Sequence, residues 1–220
     1  MTLLAYSLLA LPLWAALFAL YFILRKAGLM RQSLIAKCAA SFLAVGSAGL
    51  ALYLRGDRIL IPLVFWFFVL CMIADALLEL SFVPGMLLFG TAHVCLILWL
   101  LGLGQVTMLS GVIWVLAYAL TAWLFRKELR TLGKLTVPFC LYAALLTASL
   151  ALGLALPFTT SWDYWPLALG VLCFFVSDMM VAKGELSGLP ATPDDRWEKL
   201  AMLLYWGALY LISVPLWTTI

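Results

Sequence analysis

Residues 60–80 read LIPLVFWFFVLCMIADALLEL. From Leu60 to Ala74 the stretch carries no charge, and its apolar residues follow one another without the alternation of a half-buried strand. About 20 such residues, each rising ~1.5 Å in a helix, match a bilayer core about 30 Å thick. Lipid offers the backbone no hydrogen bonds, so only helices and closed barrels cross it, and a continuous apolar run selects the helix. The end of the stretch breaks the pattern. Asp75 and Glu79 stand four residues apart, which places them on one helical face, with Glu79 nearer water.

The rest of the chain extends that reading. Of its 220 residues 67% are hydrophobic and 10% charged, and the mean hydropathy is +1.15. Soluble domains are about 45–50% apolar and about 25% charged. Further apolar runs near 3–24, 34–54, 85–102, 106–125, 135–155, 163–183 and 199–217 predict an all-α polytopic membrane protein. It would be a single domain over residues 1–220, a bundle of eight transmembrane helices. Eight spans take up roughly 160 residues and leave only short connections. The first run lacks a basic leader and a small-residue cleavage site, which predicts a retained helix rather than a signal peptide. The short turn at Gly102–Gln105 predicts that the fourth and fifth helices are antiparallel neighbours. The polar segment from Lys183 to Lys199 reads as a loop outside the membrane. Ala40, Ala44, Gly46, Ser47 and Gly49 read as a close-packing face of the second helix. Trp162, Tyr164 and Trp165 read as an interfacial anchor.

The net charge of +3 comes with no basic block, so nucleic acid is not an expected partner. No pattern specifies an oligomeric state. The five cysteines lie in apolar runs without CxxC spacing and read as small buried hydrophobes, giving no disulfide, metal site or cofactor. Lys and Arg concentrate in the first, third, fifth and seventh connections, against only Arg55 and Arg58 on the other side. The positive-inside rule then puts the odd connections in the cytoplasm and both termini outside it, most naturally in a bacterial inner membrane.

Four ionisable residues lie within the apolar runs: Lys37, Asp75, His93 and Asp178. Each charge at mid-bilayer costs at least about 2.5–3.5 kcal/mol, so a use or a tight pairing is expected. Counted along their helices, these four, with Glu79, Tyr142 and Tyr205, fall within roughly 6–13 Å of one membrane face. That face is the cytoplasmic one by the charge rule. Taken singly, Lys37 reads as well as a snorkelling side chain, Glu79 as solvated, His93 as an interhelical hydrogen bond and the tyrosines as interfacial. Asp75 and Asp178, on short side chains, are harder to dismiss. One Lys cannot neutralise two Asp, so a shared proton or one protonated carboxyl is expected. Both carboxyls are expected to face one water-reachable pocket.

Several local motifs resemble the YhhN family of lysoplasmalogenases. They are Ala74-Asp75, the run Phe82-x-x-Gly85-x-x-x-Phe89-x-x-x-His93, and Phe175-x-Ser177-Asp178. Lys37 early in the second helix and Tyr205-Trp206 in the last fit the same pattern. The likeness covers nearly the whole chain, including its eight predicted helices. Departures fall at Ala74, Leu96 and Leu209, where the family often has Gly, an aromatic residue and Gln.

The resemblance implies hydrolysis of the vinyl ether bond of a lysoplasmalogen, a lysophospholipid taken from the membrane. The products would be a fatty aldehyde and glycerophospho-ethanolamine or -choline. Protonation of the vinyl carbon leaves an oxocarbenium ion, to which water adds. One protonated and one ionised carboxyl suit this chemistry, as they do in glycosidases. Asp75 and Asp178 are the expected pair. Which of them donates stays open; Glu79, placed to bring water beside Asp75, favours Asp178 as acid. Lys37 would hold a carboxylate or a phosphate, His93 would orient a carboxyl or relay a proton, and Tyr205 would donate to the ether oxygen. Tyr142 and Ser177 complete the expected substrate contacts. Intramembrane Asp and His also suit a proton-coupled transporter, although no repeat is visible and the polar groups lie off-centre. A third reading is a bundle whose polar groups only join helices.

Overall fold

The computed structural model describes residues 3–56, 59–187 and 196–218. Eight main helices follow in order: α1 Leu3–Lys26, α2 Met30–Arg55, α3 Leu60–Leu80, α4 Phe82–Leu103, α5 Met108–Leu124, α6 Thr136–Thr159, α7 Trp165–Ser187 and α8 Arg196–Ser213, with a last turn α9 Pro215–Thr218. No strand occurs among the described residues. Seven helices are long and apolar enough to cross a membrane, and α5 is a shorter apolar one. The 17 residues of α5 reach about 26 Å. The predicted polytopic all-α bundle of about eight helices is thus present.

Local chemistry sets the helix ends. Pro62, Pro84, Pro138 and Pro166 all fall within the first three residues of their helices, where no intrahelical N–H is needed. Thr107 and Ser110 close a capping box at the start of α5. A single residue, Ser81, separates α3 from α4, which folds the two back on each other. Gly85 permits that approach: a Cβ there would meet Leu78 Cγ at 2.6 Å and its Cα at 2.9 Å.

Helices α2, α3, α4, α6, α7 and α8 close a ring, each packing on the next and α8 returning to α2. Helix α1 lies against α2 and reaches α8 through Trp14–Tyr210 and Tyr21–Trp206 edge contacts. Helix α5 sits outside the ring on α6, fixed in part by Trp114 Nε1 donating to the Ala144 carbonyl at 3.2 Å. The expected pairing of the fourth and fifth helices is therefore corrected. Gly104 and Thr107 are extended, and the connection runs over the end of α6, where Leu156 and Thr160 lie against Gly104. A short turn fixes where two helices meet in sequence but not which flank the second one chooses.

Three smaller expectations also change. Helix α7 continues through Lys183 to Ser187, and α8 begins at Arg196, so the expected loop keeps only residues 188–195, outside the described residues. The close-packing face of α2 keeps Ala40, Ala44 and Ser47 and adds Ala36, Ala48 and Ala51, while Gly46 is exposed and Gly49 only half-buried. Tyr164 is buried against the protein, while Trp162 and Trp165 cluster edge to face with Phe158.

Candidate active site

Helical spacing builds two polar clusters from residues four or seven apart. The first joins α2, α3 and α8. Ser41, one turn beyond Lys37 on α2, donates to Asp75 Oδ2 at 2.5 Å. Tyr205 on α8 donates to the same oxygen at 2.8 Å. Lys37 Nζ lies 3.8 Å from Asp75 Oδ1 and 3.6 Å from Glu79 Oε1. Glu79 in turn meets Arg25 Nη1 at 3.4 Å, and Arg25 Nε lies 2.6 Å from Glu198 Oε1. Tyr21, one turn before Arg25, donates to Glu198 at 3.1 Å. The result is a chain of alternating charge, Glu198–Arg25–Glu79–Lys37–Asp75. It runs from partly exposed side chains to a carboxyl only 2% exposed. It also ties the end of α1, the start of α2, the end of α3 and the start of α8 to one end of the bundle, as the helix counting expects.

The second cluster joins α4, α6 and α7. Tyr142 on α6 hydrogen-bonds Asp178 Oδ2. His93 Nε2 lies 3.9 Å from that oxygen, beyond hydrogen-bond reach. His93 Nδ1 contacts Ser149 Oγ at 2.9 Å, and Ser149, two turns after Tyr142, also donates to the Leu146 carbonyl at 2.8 Å.

Between the clusters stand three buried phenylalanines. Phe174 packs edge-on to His93 at 5.0 Å and to Tyr205 at 5.4 Å. Phe89 packs on Phe174 and on Tyr205, both at 6.0 Å. Phe67 packs on Phe174 at 5.9 Å. A small groove of about 20 Å³, room for about one water, opens between α3, α4, α6 and α7. Its walls are mainly apolar, including Leu78, Phe82, Phe89 and Val181, and it reaches Tyr142 and Asp178. Asp75 lies one layer deeper, behind Phe89 and Tyr205. The expectation that both carboxyls line one open pocket is corrected accordingly. Apolar residues all round these helices hide the direction in which each carboxyl points.

Of the expected contacts, Lys37, Glu79 and Tyr205 gather at Asp75, while His93 and Tyr142 gather at Asp178. Ser177 joins neither: its hydroxyl donates to the Ala201 carbonyl at 2.8 Å and ties α7 to α8. The Tyr205 hydrogen, expected on the ether oxygen, points to Asp75 instead. Ser41, Ser149, Arg25 and Glu198 are participants that the sequence reading passes over. Their signal is spacing alone: Ser41 follows Lys37 by four, Ser149 follows Tyr142 by seven and Glu198 precedes Tyr205 by seven. No group of three His, Cys, Asp or Glu among the described residues is arranged to hold a metal ion.

A family model described as the YhhN family matches residues 6–216. The chain belongs to the YhhN family. The match runs from α1 to α9, so both clusters and the groove fall within the YhhN region. No curated protein and no solved structure matches the chain.

Proposed function

We propose that this YhhN-family protein is a lysoplasmalogenase-type hydrolase that cleaves the vinyl ether of a membrane-derived lysophospholipid. The observation that carries the reading is a carboxyl, Asp178, lining a mainly apolar groove, with a second carboxyl one layer behind it. A single alkenyl chain would lie along these apolar walls once they part to admit it, and its vinyl ether would come to rest at the polar end. The odd connections, rich in Lys and Arg, would face the cytoplasm, with both termini outside. The headgroup then lies near cytoplasmic water.

Asp178 would act as the acid, transferring its proton to the vinyl carbon remote from oxygen. The C=C pair forms the new C–H bond, and the ether oxygen shares the cation. Water adds to the oxocarbenium carbon and returns a proton to the Asp178 carboxylate. The hemiacetal collapses as its hydroxyl proton passes, through the same carboxyl, to the departing glycerol oxygen. One water is consumed, and an aldehyde and a glycerophospho-alcohol are released. Asp75 receives hydrogen bonds from two hydroxyls beside an ammonium, and as a carboxylate it would stabilise the cation through the intervening rings. Purified protein in detergent, supplied with a lysoplasmalogen, is expected to release aldehyde. Asp75→Asn and Asp178→Asn proteins that fold and still turn over at parental rates would remove the proposal.

A further inference from the structure

We propose that Ser149 is a positioning residue that fixes His93 as the Nδ1–H tautomer. A bare Nε2 lone pair then faces Asp178, and Asp178 is the carboxyl that holds the proton before reaction. The inference deepens the proposed function and rests on Asp178 being the acid. It starts from hydrogen counting. Ser149 has one hydroxyl hydrogen and donates it to the Leu146 carbonyl at 2.8 Å. Its oxygen is then an acceptor toward His93 Nδ1 at 2.9 Å, so the ring hydrogen sits on Nδ1.

That assignment leaves Nε2 as an acceptor. His93 is 1% exposed, and Nε2 has no hydrogen-bond partner among the described residues. It lies 3.9 Å from Asp178 Oδ2. A carboxylate there would set lone pairs against a lone pair in a site walled by Phe67, Phe174 and Tyr142. One proton resolves the clash. On His93 it makes a buried ion pair, which is costly to desolvate; on Asp178 it makes a neutral pair. Tyr142 donates to Asp178 from α6 in either form, and Lys37 is already engaged by Asp75 and Glu79. No lysine or arginine pairs with Asp178 among the described residues.

The chain contains one histidine, so ¹⁵N-histidine labelling reports this ring alone. In detergent and without substrate, the wild-type spectrum at neutral pH is expected to show a protonated Nδ1 and an unprotonated Nε2. A protonated Nε2, alone or with Nδ1, would overturn the proposal. Ser149→Ala is expected to shift the ring toward the other tautomer and to lower aldehyde release roughly tenfold, the worth of one buried hydrogen bond. Ser149→Thr, which keeps the hydroxyl, is expected to restore both. An unchanged tautomer in a folded Ser149→Ala protein would remove the role of Ser149. If that variant fails to fold, the wild-type spectrum still decides. Because the spectrum needs no substrate, a protein with the expected tautomer but no aldehyde release would indict the assigned reaction rather than the tautomer.

Discussion

Asp75 and Asp178 are the same side chain in two unlike settings. Asp75 is sealed, receives hydrogen bonds from Ser41 and Tyr205, and ends a charge chain that begins at Glu198. Asp178 is 11% exposed, opens to a groove, and faces a neutral phenol and an imidazole. Two hydroxyls and an ammonium surround the first; a phenol donates to the second beside apolar groove walls. In the proposed reaction this difference of environment, rather than residue type, would divide the acid from the charge-stabilising carboxylate.

The widest separation is expected from Asn at each position. Asp178→Asn removes the proton donor, and aldehyde release is expected to fall about 10²–10⁴-fold with little change in melting temperature. Asp75→Asn leaves the buried Lys37 with Glu79 as its remaining carboxylate partner, and a broken buried pair costs about 3–5 kcal/mol. That variant is expected to melt lower as well as lose turnover. Replacing both partners, as Lys37→Met with Asp75→Leu, should recover stability over either single change without recovering activity. Equal melting losses at Asp75 and Asp178 would erase the contrast.

How much of this was legible beforehand depends on which coordinate is asked for. Depth was readable, because rise per residue is fixed: the counting that put Lys37, Asp75, Glu79, His93, Tyr142, Asp178 and Tyr205 toward one face agrees with the ion pairs that join Arg25, Lys37, Glu79 and Glu198. Helix existence was readable for the same reason, since apolar length is what lipid demands. Azimuth was not. Helices α4, α6 and α7 are apolar on every side, so nothing marked the turn of Asp178 toward the groove or of Ser177 toward Ala201. Arg25 read as one more loop charge until its two carboxylate partners, on α3 and α8, were in place. Partner choice failed likewise at α5, where sequence adjacency to α4 gave way to packing on α6.

The groove offers a test that touches only the Asp178 side. Val181 lines it one turn's reach beyond the carboxyl. Val181→Trp is expected to obstruct the channel and raise KM about tenfold for long-chain substrates, with less effect on short-chain ones. Thermal stability should change little. A chain-length-independent effect would place substrate entry elsewhere. On the other side, Arg25→Ala cuts the charge chain outside Lys37. Its two ion pairs are partly exposed, so a loss of about 1–2 kcal/mol in stability is expected, with turnover falling only a few-fold through a looser Glu79 and Lys37. A loss as deep as that of Asp75→Asn would mean the outer chain takes a direct part in chemistry.

The smallest effect is expected far from both carboxyls. Lys183 near the end of α7 bonds Glu128 in the α5–α6 connection and also lies over the Phe125 ring at 5.5 Å. This hydrogen bond holds the Glu128 carboxyl below the ordinary glutamate range. A carboxyl with a depressed folded-state pKa adds stability that is full above its unfolded-state value and fades as pH falls through the folded one. Melting in detergent should therefore decline on the acid side of the ordinary glutamate range, and Glu128→Gln should flatten that part of the profile while leaving neutral-pH turnover intact. Lys183 is half exposed, so salt should shrink the difference between the two proteins. If Glu128→Gln instead lowers turnover at neutral pH, the connection that carries it is coupled to the neighbouring groove walls at Phe139 and Val181. The contrast between an anchored Asp75 and an open Asp178 would then have to include that connection, whose Leu129 lines a separate hollow together with the groove-wall residue Phe139.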